Sequence, residues 1–398
     1  MNSSLTNAAD SDSIKTGITI DEPPVVARVY RCQCGRPVFF RNSQCLHCDT
    51  ALGYLVATHR VIPLAAGELA GDWRPHPAAT HLAARFRDVK LRRCANFDTA
   101  AACNWMVAVP ADGSNVLPWC ESCRLNHVIP DLANPEHAAL WASIEIAKRR
   151  LVSSLLAIGL PLRSKLHEDP EHGVMFDFLD GDGGDSPVLT GHDDGLITLN
   201  IEEADDSRRE HLRKAMHEPY RTLLGHLRHE IGHYYWDVLV DGSDSLATFR
   251  ELFGDETLDY SQAMDRHYQQ GPPTDWADHY VSAYATMHPW EDWAETWAHY
   301  LHMIDTLDTA LSFGLSAANV ELEMEPFGRD ALHRPDAADA DQFLAIVNDW
   351  TRLTGVLNEM SRSMGQPDFY PFVLPRDVVG KLQFIHAVVQ RAANNGTN

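Results

Sequence analysis

The run Leu227-Arg228-His229-Glu230-Ile231-Gly232-His233-Tyr234 presents two helical faces at once. Leu227 and Ile231 continue an apolar stripe through Leu224, Tyr234 and Val238, so the segment reads as an amphipathic helix beginning at Pro219. His229 is two residues from both Leu227 and Ile231, about 200° round the helix, so His229 and His233 share a separate face. One side packs and the other is free to hold a metal ion. The pattern is HExxH, two histidines at i and i+4 with a glutamate between them. Composition alone yields those five letters in a chain this long on the order of one time in twenty, so their weight comes from the helix and its surroundings.

A catalytic zinc takes three protein ligands and keeps a fourth position for water. Candidates for the third ligand lie on a second amphipathic helix, opening at Pro289, with Trp290, Trp293, Trp297, Leu301 and Ile304 on one stripe. Glu291 and Glu295, one turn apart, sit beside that stripe. In isolation such a pair reads as a solvated helix edge. Downstream of HExxH it becomes a source of the third ligand, and spacing alone does not choose between the two.

All eight cysteines fall between residues 32 and 123, in two groups of four. The first is Cys32, Cys34, Cys45 and Cys48; the second is Cys94, Cys103, Cys120 and Cys123. Paired cysteines on tight turns, with a longer gap between pairs, converge four thiolates on one tetrahedral zinc. Gly35 and Asn42-Ser43 supply turns in the first group, and Val38-Phe39-Phe40 supplies a small hairpin between its two halves. The second opens more widely, and His127, four residues past Cys123, is an alternative fourth ligand there. His47 reads as a surface residue, since its neighbours already complete a tetrahedron. Disulfides are the competing reading, which a cytoplasmic setting disfavours.

That setting follows from the N-terminus, where residues 1–12 are polar and acidic and lack the basic and apolar regions of a secretion signal. No apolar run reaches the ~18–20 residues that span a bilayer. The net charge of −23 is uneven: residues 1–130 carry 13 Lys+Arg against 11 Asp+Glu, and the remainder 20 against 45. Such a surface repels nucleic acid and anionic lipid, so any polynucleotide would have to be held by the near-neutral N-terminal part, and it does not by itself oppose a peptide or protein partner. The chain divides into a flexible tail (1–25), a turn-rich cysteine region with short β runs (26–130), and a mainly helical part with a small sheet (131–398), an α+β organisation. Helices are expected from Pro135 to about Ile158, over Phe343–Met360 and over Val378–Val389, and strands over Val174–Leu179 and Leu196–Ile201.

Three strings carry a resemblance: Cys32-Gln33-Cys34-Gly35-Arg36-Pro37, Ala51-Leu52-Gly53-Tyr54, and Glu291-Asp292-Trp293-Ala294-Glu295-Thr296-Trp297-Ala298-His299-Tyr300-Leu301. With HExxH ahead of the last, residues 30 to 390 resemble a bacterial family of zinc-binding metallopeptidases with an N-terminal zinc ribbon, and the helix pair is similar to that of gluzincins. The resemblance implies a zincin-like fold, two structural zincs, one catalytic zinc on His229, His233 and Glu291, and Glu230 as general base. It also gives Glu295, where the related motif has Asp or Asn, a bond to a ligand histidine. The implied activity is zinc-dependent peptide hydrolysis, through a water whose pKa coordination lowers to roughly 7. Tyr280, Tyr284 and His288 are candidates to stabilise the oxyanion, Tyr284 foremost, and Leu196–Ile201 is a candidate edge strand for substrate. The alternative is a non-catalytic, zinc-stabilised scaffold.

Overall fold

The computed structural model describes residues 27–79, 82, 84–110, 116–181, 188, 190–215 and 221–396. The cysteine region begins with an antiparallel pair, β1 (Val29–Arg31) and β2 (Pro37–Phe39), with Tyr30 opposite Val38. The turn joining them carries Cys32 and Cys34 and closes through Gly35 at φ +83°, a conformation that glycine adopts without strain. An antiparallel sheet follows, with β3 (Leu52–Leu55), β4 (Arg60–Ala66), β5 (Asp72–Pro75), β6 (Leu91–Arg93) and β7 (Met106–Ala108) in sequential order; the short helix α1 (Ala84–Arg87) precedes β6. This sheet is more extensive than the expected short β runs. Its hairpins bring Leu55, Ile62, Leu64, Leu91 and Met106 into a small apolar cluster of their own.

A second sheet has the order β10-β11-β9-β8, formed by β8 (Asn126–Val128), β9 (Met175–Leu179), β10 (Gly191–Asp193) and β11 (Leu196–Asn200). β8, β9 and β11 are parallel, and β10 folds back antiparallel on β11 across the turn at Asp194-Gly195. The expected strands are present, but Leu196–Ile201 is not the edge. β11 is hydrogen-bonded on both sides, and the short β10 takes the edge because the tight turn folds it back alongside. Phe176, Phe178, Ile197 and Leu199 alternate with less buried neighbours and enter the core.

The helices are α2 (Pro135–Ala157), α3 (Asp206–Ala215), α4 (Leu223–Leu239), α5 (Leu246–Phe253), α6 (Tyr260–Gln270), α7 (Trp276–His279), α8 (Pro289–Ser312), α9 (Ala340–Ser363) and α10 (Arg376–Gly396). Asn134 caps α2 by accepting from the Glu136 N–H, with Pro135 at the first helical position. The HExxH helix begins at Leu223 rather than Pro219, because the Thr222 hydroxyl caps it by accepting from Gly225 N–H. Pro219 itself lies outside the described residues.

Helices α4 and α8 cross in close contact, and Gly232 sets how close. A β-carbon at Gly232 would stand 3.2 Å from the Ala294 Cα and 3.2 Å from the Trp297 indole. Trp293 Nε1 donates to the Gly232 carbonyl at 2.8 Å, so the helices are joined at this level by a buried hydrogen bond. Trp293, Trp297 and Leu301 occupy the core as the stripe requires. The main apolar cluster runs from Tyr30 through α2, the second sheet and α4 to α10. Among the described residues, no helix is long and apolar enough to cross a membrane.

Candidate metal centres

The α4/α8 crossing brings His229, His233 and Glu291 together, all three buried. His229 Nε2 is 3.3 Å from His233 Nε2 and 3.0 Å from Glu291 Oε2, and His233 Nε2 is 3.5 Å from Glu291 Oε1. Zinc bonds of 2.0–2.1 Å at tetrahedral angles require ligand atoms roughly 3.3–3.4 Å apart. The triangle fits, with its Nε2 atoms facing inward as ligands would. Burial alone would push the Glu291 carboxyl up, but the His233 and His229 rings hold it well below the ordinary carboxylate range.

Glu295 is placed differently. Its Oε1 accepts from His229 Nδ1 at 2.7 Å and its Oε2 accepts from the Ser282 hydroxyl at 2.6 Å. A carboxylate on Nδ1 fixes the tautomer that leaves Nε2 for metal. The helical turn between the two glutamates thus separates a carboxylate at the inner ring nitrogens from one behind His229, which the spacing left open.

Glu230 is buried beside the triangle, its Oε1 3.1 Å from His226 Nε2. Burial would raise its pKa; the His226 bond and the neighbouring His229 outweigh that and keep the carboxyl below its ordinary value. His226 bonds Glu203 through Nδ1 at 2.5 Å. Burial opposes the imidazolium, but Glu203 and then Glu230 lift His226 to about 9, and the same pair, against the burial of Glu203, holds Glu203 at about 2.

Of the candidate oxyanion donors, Tyr284 is at the site, its ring 6.0 Å from that of His229. The other two are not. Tyr280 lies under the Lys381 ammonium, 4.4 Å from its ring centre, and His288 spends both ring nitrogens on capping α8 and on the Leu258 carbonyl. The sequence reading missed Tyr260, whose hydroxyl donates to Glu291 Oε1 at 2.8 Å. Its position at the start of α6, 31 residues before its partner, carries no spacing signal. Burial and then the charge of Glu291 raise the pKa of both tyrosines, so both remain phenols able to donate. Trp290 packs against the core at the start of the expected stripe and also lies on the His233 ring, with centroids 4.0 Å apart.

The cysteines gather in their two expected groups. The Sγ separations are 3.6 Å for Cys32–Cys48, 3.8 Å for Cys34–Cys45 and 3.7 Å for Cys103–Cys120. Zinc–sulfur bonds of 2.3 Å set thiolates about 3.8 Å apart on a tetrahedron, whereas a disulfide needs about 2.05 Å. His127 is not in the second group: it is exposed and pairs through Nδ1 with Asp177 at 2.8 Å, because β8 carries it away alongside β9. His47 is exposed, as expected.

The two groups differ in setting. Cys34 is exposed and Cys48 half-buried, whereas Cys94, Cys103, Cys120 and Cys123 are all buried. Four thiolates on a dication leave two negative charges, and α2 places Lys148 and Arg149 behind the second group. Lys148 Nζ is 2.6 Å from Glu145 Oε1, and Cys123 Sγ is 3.9 Å from Glu145 Oε2. Arg149 donates to the Ala101 carbonyl at 2.8 Å.

Comparison with known proteins agrees with this geometry. Residues 137–388 match a family described as "Putative zinc-binding metallo-peptidase", and residues 29–134 match a zinc-ribbon domain. Uncharacterized proteins of Mycobacterium tuberculosis and Mycobacterium bovis are each 43% identical over 368 residues, covering 92% of this chain and 96% of the relative. No solved structure matches it. The chain belongs to this zinc-binding metallo-peptidase family, with a zinc-ribbon domain ahead of the region that carries the His229, His233 and Glu291 triangle.

Proposed function

We propose that this chain hydrolyses peptide bonds, with Glu230 as general base and His229, His233 and Glu291 as the ligands of a catalytic zinc, alongside two structural zincs on the cysteine groups. The observation that carries the reading is the triangle of His229, His233 and Glu291 with the buried Glu230 beside it. When bound, zinc acidifies water and polarises a carbonyl. Glu230 takes the proton of that water and returns it to the departing amine. Tyr284 donates a hydrogen bond to the carbonyl oxygen as it gains charge, a role suited to a phenol whose pKa is raised, while Tyr260 gives its one proton to Glu291 and orients that carboxylate. Glu295 keeps His229 in the tautomer that presents Nε2.

The substrate backbone has a place to bind. Among the described residues β10 is an edge with one side unpaired, and its His192 ring stacks toward His233 at 6.3 Å, so an extended chain added to β10 passes the ligand triangle. The test is a proteome-wide comparison of cleavage by the zinc-loaded chain and by Glu230→Gln, which keeps shape and ligands but accepts no proton. Cleavage should fall by at least ~10²-fold with zinc content unchanged. Equal cleavage by the two proteins removes Glu230 from the chemistry, and none by either favours a zinc-stabilised scaffold.

A further inference from the structure

His226 lies one helical turn before Glu230, outside the HExxH pattern, and its ring spans two carboxylates. Nε2 is 3.1 Å from Glu230 Oε1, and Nδ1 is 2.5 Å from Glu203 Oε2. Glu203 is in turn held at both oxygens: the Thr190 hydroxyl donates to Oε1 at 2.5 Å, and Arg221 Nη2 donates to Oε2 at 3.4 Å. Glu203 sits in the 3₁₀ turn Ile201–Ala204 directly after β11, whereas His226 and Glu230 are on α4. The relay from Glu230 through His226 to Glu203 therefore ties the carboxylate beside the ligand triangle to the sheet that carries the edge strand. His226 holds Glu230 through Oε1, so Oε2 is the oxygen left to accept a proton.

We propose that His226, backed by Glu203, is a positioning residue that holds the Glu230 carboxylate in a single orientation with Oε2 available. An unanchored glutamate samples several rotamers, and a misplacement of about 1 Å in a reacting group costs on the order of 10²-fold in rate. His226 touches neither substrate nor the ligand triangle's nitrogens in this role; it acts through Glu230. This assignment rests on the peptidase reading of the same centre.

The test uses the full chain with cobalt in place of zinc, titrated with acetohydroxamate and followed by the cobalt absorption bands. A hydroxamate bound there hydrogen-bonds the neighbouring carboxylate, so its affinity reports the orientation of Glu230 without turnover. Glu230→Gln and His226→Ala should each weaken binding about 10-fold, and the double variant should lose no more than either single one, as coupled residues do. His226→Gln, which still offers an N–H to Glu230, should recover most of the loss. Metal content should stay constant throughout. Additive losses in the double variant, or wild-type affinity in His226→Ala, would overturn the assignment. If His226→Ala does not fold, the same cycle is run with Glu203→Gln, which keeps the shape of Glu203, and the same two outcomes decide. A protein that binds hydroxamate with the expected coupling yet cleaves no peptide overturns the peptidase reading alone; an active enzyme with an uncoupled cycle overturns the role of His226 alone.

Discussion

At the scale of single residues, Glu291 and Glu295 divide one task. Both stand on the same side of α8, but Glu291 meets the inner nitrogens of two histidines and Glu295 meets the outer nitrogen of one. Glu291→Ala is therefore expected to strip the catalytic zinc and abolish cleavage. Glu295→Ala should cost only ~10–100-fold in zinc affinity or rate, since it removes an orienting bond and not a ligand. Elemental analysis after dialysis checks the order, and an empty site in Glu295→Ala with metal retained in Glu291→Ala would reverse the assignment.

At the scale of elements, the centre depends on how closely α4 and α8 approach. Gly232 faces Ala294 at a distance that leaves a β-carbon barely enough room and leaves none for a branched side chain. Gly232→Val should push the helices apart, cost ~1–3 kcal/mol as overpacking does, and lower zinc occupancy, although position 232 binds nothing. Thermal melting and zinc content measured on the same sample check both effects; a stable variant with full zinc would show that another contact sets the separation. HExxH displays its two histidines in the sequence, but the role of Gly232 between them, admitting the helix that carries Glu291, is legible only once the two helices are seen together.

At the scale of the whole molecule, the cysteine region and the helical part are joined by a buried charge cluster. Asp305 on α8 is buried among three arginines: Arg28, just ahead of β1, reaches its Oδ1 at 2.7 Å, Arg150 on α2 binds both its oxygens at 2.7 Å, and Arg228 on α4 reaches Oδ2 at 2.7 Å. Burial opposes its charge, but Arg28, Arg150 and Arg228 hold its pKa well below the ordinary value. A carboxyl depressed on folding contributes stability above its unfolded pKa, near 3.9, and loses it as pH falls toward the folded value. Asp305→Asn should therefore destabilise the chain at neutral pH by about 3–5 kcal/mol, because it strands buried arginines, and the deficit should shrink below about pH 4. Melting curves of both proteins across that range are the measurement; a deficit independent of pH would mean that packing and not charge is lost.

The two cysteine sites should separate on the same scale. Three zincs per chain are expected, and a chelator should remove the first-site ion early, from beside exposed Cys34, and the second only as the chain unfolds. Cys123 leads directly into β8, which pairs with β9, so the second site is built into the sheet beside α4. Cys120→Ser should accordingly cost far more stability than Cys48→Ser, measured by melting with zinc counted in parallel. The reverse order would place the structural weight on the outer ribbon.

Much of this was determined by the sequence itself. Metal-binding side chains declare themselves by type and short spacing: two histidines one helical turn apart, and cysteines paired across tight turns, are local patterns whose geometry the backbone enforces. Apolar stripes likewise located α2, α4, α8, α9 and α10, because helical periodicity is local. What the tertiary structure alone decided are choices between distant or equivalent partners. It brought Glu291 and not Glu295 to the two Nε2 atoms, Tyr284 and not Tyr280 or His288 to the His229 ring, β10 and not β11 to the edge, and the four cysteines without His127 into the second group. In each case the competing residues are alike in chemistry and sequence context, and only the packing of α4 on α8, or the fold of a short strand back on its neighbour, sets which atoms come within bonding distance.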